Sequence, residues 1–121
     1  MGQGRGSARP ALAIGLAILC LMAIAQPTLG AIYSINWTFN VVNWPRGKSF
    51  RAGDVLVFNY ARSLHNVVPV SGNGYKSCNG RGGRVSQSGR DRFTLRRGAN
   101  YFICSFPGHC QGGMKIAVNA A

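Results

Sequence analysis

The chain has 121 residues, enough for one domain with a single core. Fourteen Lys and Arg stand against two Asp and no Glu, a formal charge of +12, which all but excludes catalysis by paired carboxylates. Such a charge favours polyanions and steers encounter with acidic partners.

Met1 to Pro10 carries Arg5 and Arg9 and no acid, and Ala11 to Ala25 is an almost unbroken apolar run closed by Gln26-Pro27-Thr28-Leu29-Gly30. A charged start, a short apolar stretch and a small-residue exit mark a secretory signal peptide; the run falls short of the roughly twenty residues that a bilayer span needs. The reading places a cleavable signal over residues 1–30 and one domain over residues 31–121, with a cut after Ala25 as the alternative. Removing Arg5 and Arg9 lowers the formal charge to +10. Cys20 leaves as well, so three cysteines remain: Cys78, Cys104 and Cys110. An odd thiol in an oxidising compartment calls for a reason to stay unpaired, and metal coordination is one.

The domain reads as short strands and turns. Ile32 to Ile35 is a first strand, Trp37 to Val42 a second piece, and Trp44-Pro45-Arg46-Gly47-Lys48 a turn. Asn36-Trp37-Thr38 is a sequon that makes Asn36 a candidate glycosylation site. The apolar run Val55 to Tyr60 is a further strand, and His65 then sits at a strand end or in the loop feeding Val67-Val68-Pro69-Val70. Ser71 to Gly89 is polar and Gly-rich. Its Gly80-Arg81-Gly82-Gly83-Arg84 looks like an RNA-binding patch, but a secretory leader argues against nucleic acid and for a solvated loop. Phe93-Thr94-Leu95 is a short strand, Arg96 to Asn100 a turn, and Tyr101 to Phe106 the strand that delivers Cys104.

The chemistry concentrates toward the C-terminus. Cys104, His109 and Met114 recur at intervals of five residues, with Pro107, Gly108, Gly112 and Gly113 between them to permit a tight loop. Taken singly, a Met before a strand is core packing and a His beside an apolar run is a satisfied core or surface residue. Thiol, imidazole and thioether together are different, because two His and one Cys with a weak axial Met form the ligand set of blue-copper electron-transfer sites. His65 is the only other histidine in the chain and supplies the fourth ligand. Structural zinc competes poorly, since it takes four Cys or His ligands. A Cys–His catalytic dyad lacks an orienting third group.

The stretch Asn100 to Val118, reading NYFICSFPGHCQGGMKIAV, resembles the C-terminal signature of the phytocyanins, plant blue-copper proteins of cupredoxin fold. Arg51 to Tyr60 and Leu64 to Val68 match the same pattern, and within the family the chain is most similar to the chemocyanin-like plantacyanin or basic blue protein group. The resemblance covers nearly all of residues 31–121. It implies an all-β, cupredoxin-like Greek-key sandwich or barrel with a short irregular or helical connection, one copper ion held by His65, Cys104, His109 and Met114, and Asn66 helping to hold the sulfur. It also implies a Cys78–Cys110 disulfide; a Cys104–Cys110 bridge would instead destroy the site. One departure from the family lies near the start, where Ile35-Asn36 leads straight into Trp37 and several residues, usually including a Gly, are missing. That shortening puts the first strand in question more than the copper site.

The function expected is a secreted, monomeric one-electron carrier and not an enzyme, because protein ligands fill every coordination position. Its redox partner is expected to be acidic. The alternative is an extracellular signalling or adhesion module, as in pollen-tube guidance, whose basic face binds acidic cell-wall polysaccharide in the apoplast. Neither function calls for a membrane once the signal is cut.

Overall fold

The computed structural model describes residues 30–121, so the proposed signal segment, apart from Gly30, lies outside the described residues. Six strands and one short helix follow in the order β1 (Ile32–Asn36), β2 (Val55–Asn59), β3 (Val68–Val70), α1 (Gly72–Ser77), β4 (Arg90–Thr94), β5 (Gly98–Ile103) and β6 (Lys115–Ala120). They make two three-stranded sheets, one ordered β1-β2-β4 and the other β3-β5-β6. The first pairs β1 parallel to β2 and β2 antiparallel to β4. In the second, β5 pairs antiparallel with both neighbours. Among the described residues no helix is long and apolar enough to cross a membrane.

The strands form where the sequence offers β-branched and aromatic residues on an alternating or continuous apolar pattern. β6 alternates cleanly, with Ile116, Val118 and Ala120 buried and Ala117 and Asn119 exposed, as suits a strand with one solvated face. The central strand β2 buries Leu56, Val57 and Phe58 in succession, because it has neighbours on both edges and is covered on both faces. Phe58 of the first sheet meets Phe102 of the second at 5.1 Å between ring centroids, with Phe93 at 5.5 Å and Trp37 edge-on at 4.9 Å. Burying a Phe ring fully is worth roughly 1.5–3 kcal/mol, so this cluster helps hold sheet to sheet. The Trp37 indole N–H is satisfied inside it by the Asn66 carbonyl at 2.8 Å.

Three parts of the sheet differ from expectation: Gly98 to Asn100, expected as part of a turn, opens β5 because Ala120, Asn119 and Val118 of β6 supply its partners, and two more lie toward the start of the domain. The missing residues after Ile35 do no harm to the first strand: β1 keeps full register along β2, from Ile32 opposite Val55 to Asn36 opposite Asn59. Trp37 to Val42 is no strand. Trp37 is buried with its N–H on the Asn59 carbonyl, and the chain then turns through Asn40, whose φ of 61° is left-handed, to place the Val41 N–H on the Gly113 carbonyl. The aromatic and β-branched residues of this stretch serve the core and the site instead of a ladder. Asn36 ends β1 with its residue exposed.

The Gly-rich connection holds α1, capped by the Ser71 hydroxyl and closed by Cys78 in the left-handed conformation. Tyr75 of this helix lies 5.4 Å from Tyr101 of β5 and beneath the Lys115 ammonium of β6, which tethers the helix to the second sheet. At the far end of β4, buried Asp91 accepts from the Tyr60 and Ser88 hydroxyls and from the Ser88 N–H. Burial, and then this bond to Asp91, push the Tyr60 phenol well above its ordinary pKa, so it remains a donor.

Candidate metal centre

His65, Cys104 and His109 each offer one ligand atom, and these atoms all lie within 4.8 Å of one another. The two imidazoles approach Nδ1 to Nδ1 at 3.0 Å, and the Cys104 sulfur lies 3.5 Å from His109 Nδ1. No carboxylate belongs to this group. His65 comes from the turn between β2 and β3, where its N–H bonds the Ala61 carbonyl at 3.2 Å. Cys104 follows the last residue of β5. His109 lies on the loop from β5 to β6, and Met114 closes that loop just before Lys115.

Backbone bonds shape the loop. Cys104 N–H donates to Met114 C=O and Met114 N–H to His109 C=O, both at 3.0 Å, so all three residues are fixed relative to one another. Gly113, at φ +87°, permits the turn into Met114, and a Cβ on Gly112 would stand 2.9 Å from the Phe39 ring. Both glycines are therefore set by geometry that a side chain would oppose. Cys104 and Met114 are wholly buried and belong to the same core cluster as Trp37, Phe58 and Ile116, so the packing that holds the sheets together also holds the sulfurs.

Asn66 ties the two halves of the site, though through the neighbour of Cys104 and not through the sulfur. Its Oδ1 accepts from the Ser105 N–H and its Nδ2 donates to Ser105 Oγ, each at 2.8 Å. Burial, and then the nearby His109, hold the His65 pKa below its ordinary value, which keeps the ring neutral and able to offer a lone pair. Phe39 is a site residue that the sequence did not disclose: its ring lies 4.8 Å from that of His109 and 5.8 Å from that of His65. Only the turn at Asn40 brings it there, and no spacing rule announces that turn.

Cys78 and Cys110 are joined, with Cα atoms 5.6 Å apart, and among the described residues Cys104 is the free, buried thiol. The bridge pins the residue after His109 to the end of α1. Cys110 also packs with Val68 and Ile103 in a small second core.

A plastocyanin-like domain model matches residues 35–114. Chemocyanin of Lilium longiflorum is 54% identical over 126 residues, with all of both chains covered. The chain belongs to the phytocyanin family of blue copper proteins. Two solved phytocyanins have the same architecture. Cucumber basic protein, a blue copper protein, superposes with a TM-score of 0.74 at 56% identity, and spinach plantacyanin with 0.71 at 66% identity; each covers 75% of this chain and 100% of its own. The cupredoxin-like fold expected from the sequence is thus the fold observed, with α1 as its helical connection. The donor set also fits the family's metal: one thiol, two imidazoles and a buried thioether are a soft, nitrogen–sulfur group suited to copper in both oxidation states, and ill suited to hard cations that require oxygen ligands.

Proposed function

We propose that the protein is a secreted one-electron carrier in which His65, Cys104, His109 and Met114 hold a single copper ion. The observation that carries this reading is the meeting of His65 with Cys104 and His109 across 39 and 44 residues of chain, with Met114 in the core cluster that also holds Cys104. When bound, copper supplies a centre that alternates between Cu(II) and Cu(I). Cys104 would contribute the thiolate, the neutral rings of His65 and His109 the nitrogens, and Met114 a weakly donating thioether sulfur.

The protein's own part is to keep these groups where they are. Asn66 fixes the approach of Cys104, and the disulfide limits the swing of His109. His109 is half-buried, and exposed Phe39 stands against it, so its ring edge is the part of the site offered to a partner. With four protein ligands a copper ion would have no open position for a substrate, so the site would carry electrons and not turn over a substrate. The disulfide suits an oxidising, extracellular compartment, in line with the signal-like leader. Family membership and ligand geometry favour a carrier over an adhesion module in which copper is incidental.

Adding Cu(II) to the disulfide-bonded protein is expected to give a one-to-one, intensely coloured complex, and a colourless product preferring zinc would overturn the assignment. Met114→Gln, which replaces the thioether with a harder oxygen donor, is expected to lower the reduction potential measured by voltammetry. An unchanged potential would remove Met114 from the ligand set.

The surplus of Lys and Arg over Asp and Glu supports an acidic redox partner. Electrostatic steering accelerates such encounters by roughly 10- to 1,000-fold at low salt. Stopped-flow oxidation by an acidic electron acceptor is therefore expected to slow steeply between low salt and about 0.15 M, where the screening length is about 8 Å. A rate indifferent to salt would count against charge-guided docking.

A further inference from the structure

Asp54 is 95% buried, its residue being only 5% exposed, yet among the described residues its carboxylate is met by backbone N–H groups and not by a side-chain cation. Oδ2 accepts from Arg51 N–H at 2.8 Å, and Oδ1 accepts from the backbone nitrogen of Ala31 at 2.9 Å. Ala31 stands immediately before β1, and its own carbonyl accepts from Val55 N–H at 2.8 Å, so that nitrogen is held in place from both sides. Ala31 is exposed, and a recess lined by Tyr33, Arg51, Asp54 and Ala121 opens beside it to water.

We propose that Asp54 is the receptor for a new chain terminus: hydrolysis of the Gly30–Ala31 bond turns the Ala31 nitrogen into an α-ammonium, which Asp54 captures as an ion pair that anchors β1. A secretory-pathway endopeptidase adds water across the bond, leaving a carboxylate on Gly30 and a protonated amine on Ala31, with no redox change. The existing 2.9 Å hydrogen bond becomes charge-assisted, and the two further hydrogens of the ammonium face the open recess. The entire solved chain of spinach plantacyanin covers 75% of this one, about 91 of 121 residues, as many as lie between Ala31 and Ala121 inclusive.

Gly30 adds a constraint of order. A Cβ at this position would lie 2.1 Å from the Gly53 carbonyl oxygen, so Gly30 itself sits hard against backbone in the folded domain. An endopeptidase must surround an extended segment to cut it. Cleavage therefore precedes closure of β1 onto β2, and the ammonium is present when Asp54 becomes buried.

The charged and titratable groups facing the new terminus are the Asp54 carboxylate, which stabilises it, and Arg51, which opposes it, with Tyr33 and Ala121 at the margin. The buried carboxylate, in direct contact, prevails over the exposed guanidinium and raises the α-amino pKa. The pair's contribution to stability is then complete below the ordinary α-amino range and is lost as pH rises through the raised folded value.

The full chain secreted from a eukaryotic host, analysed by intact mass and N-terminal sequencing, is expected to begin at Ala31; a start at Gln26 overturns the proposal. The Ala31 methyl resonance of that product is expected to titrate with a midpoint above the ordinary range of about 7.7–8.0. Asp54→Asn should return the midpoint to that range. Should Asp54→Asn fail to fold, a chain beginning at Gly30 displaces the ammonium by one residue and should show an ordinary midpoint on a folded domain. An ordinary midpoint in the unaltered mature protein overturns the proposal even if its copper spectrum is intact, and that spectrum reports the metal reading separately.

Discussion

Cys104→Ser is expected to abolish the intense visible absorption of the copper-loaded protein and its reversible reduction, while leaving the fold in place. The thiol is the one proposed ligand that no other residue can replace. Cys104 is the free cysteine among the described residues, it is wholly buried, and its sulfur stands 3.5 Å from His109 Nδ1. A serine hydroxyl is nearly the same size but ionises far less readily and is a hard donor, so the strong thiolate bond that selects copper is lost. The structural cost is smaller. Burying a hydroxyl without a full set of partners costs about 1–3 kcal/mol, against a total stability of about 5–15 kcal/mol for a domain of this kind. The backbone bond from Cys104 N–H to Met114 C=O does not depend on the side chain. Visible absorption and voltammetry of the copper-treated variant, beside its far-ultraviolet circular dichroism, separate the two effects. Strong colour in a folded Cys104→Ser protein would mean that the sulfur is not a ligand.

Removing the disulfide is expected to produce a large loss of stability. The bridge closes a loop 32 residues long, for which chain entropy alone accounts for roughly 3–4 kcal/mol, and losses of native bridges fall in the range of about 2–5 kcal/mol. For a domain of fewer than 100 residues, each kcal/mol shifts the melting temperature by about 4–8 °C, so a loss of 3 kcal/mol lowers it by about 12–24 °C. The variant must be double, Cys78→Ala with Cys110→Ala, because a lone Cys110 would be free to bridge Cys104 and consume the ligand. Thermal unfolding of the copper-free proteins is the direct measurement, since bound metal adds its own stabilisation. A double variant that melts within about 2 °C of the parent, well under the shift expected for even 1 kcal/mol, would show that the loop between α1 and His109 is held by packing instead. Its reduction potential should also scatter or shift, because Cys110 adjoins His109 in the chain and joins Val68 and Ile103 in the second core.

Much of the site is legible in the chain alone. Equal spacing of Cys104, His109 and Met114 names a soft ligand set in one loop, and the count of two histidines leaves His65 as the fourth candidate by elimination. The strand patterns of β2 and β6 are local properties of the chain, a continuous apolar run in one and strict alternation in the other, and both strands form where those patterns lie. The misreadings share one cause. Trp37 to Val42 has the composition of a strand, yet its N–H groups go to Asn59 and Gly113 and its aromatic rings to the core and to His109. Gly98 to Asn100 has the composition of a turn, yet it pairs with Ala120, Asn119 and Val118. In each case distant partners outweigh local preference by supplying backbone hydrogen bonds and burial that a short segment cannot supply for itself.

Residue types and their order along the chain settle the chemistry: which atoms can bind a metal, how many thiols remain to be paired and which sign of charge surrounds them. The meetings between remote segments belong to the folded molecule. Folding brings His65 to the β5–β6 loop, lays Phe39 over His109, sets Asn66 against Ser105 and places the nitrogen of Ala31 on Asp54. Residue type and spacing report what a segment can offer within a few positions along the chain. Contacts between residues separated by 23 to 70 positions are set by how two sheets pack around Phe58 and Phe102, and that packing is a property of the whole core.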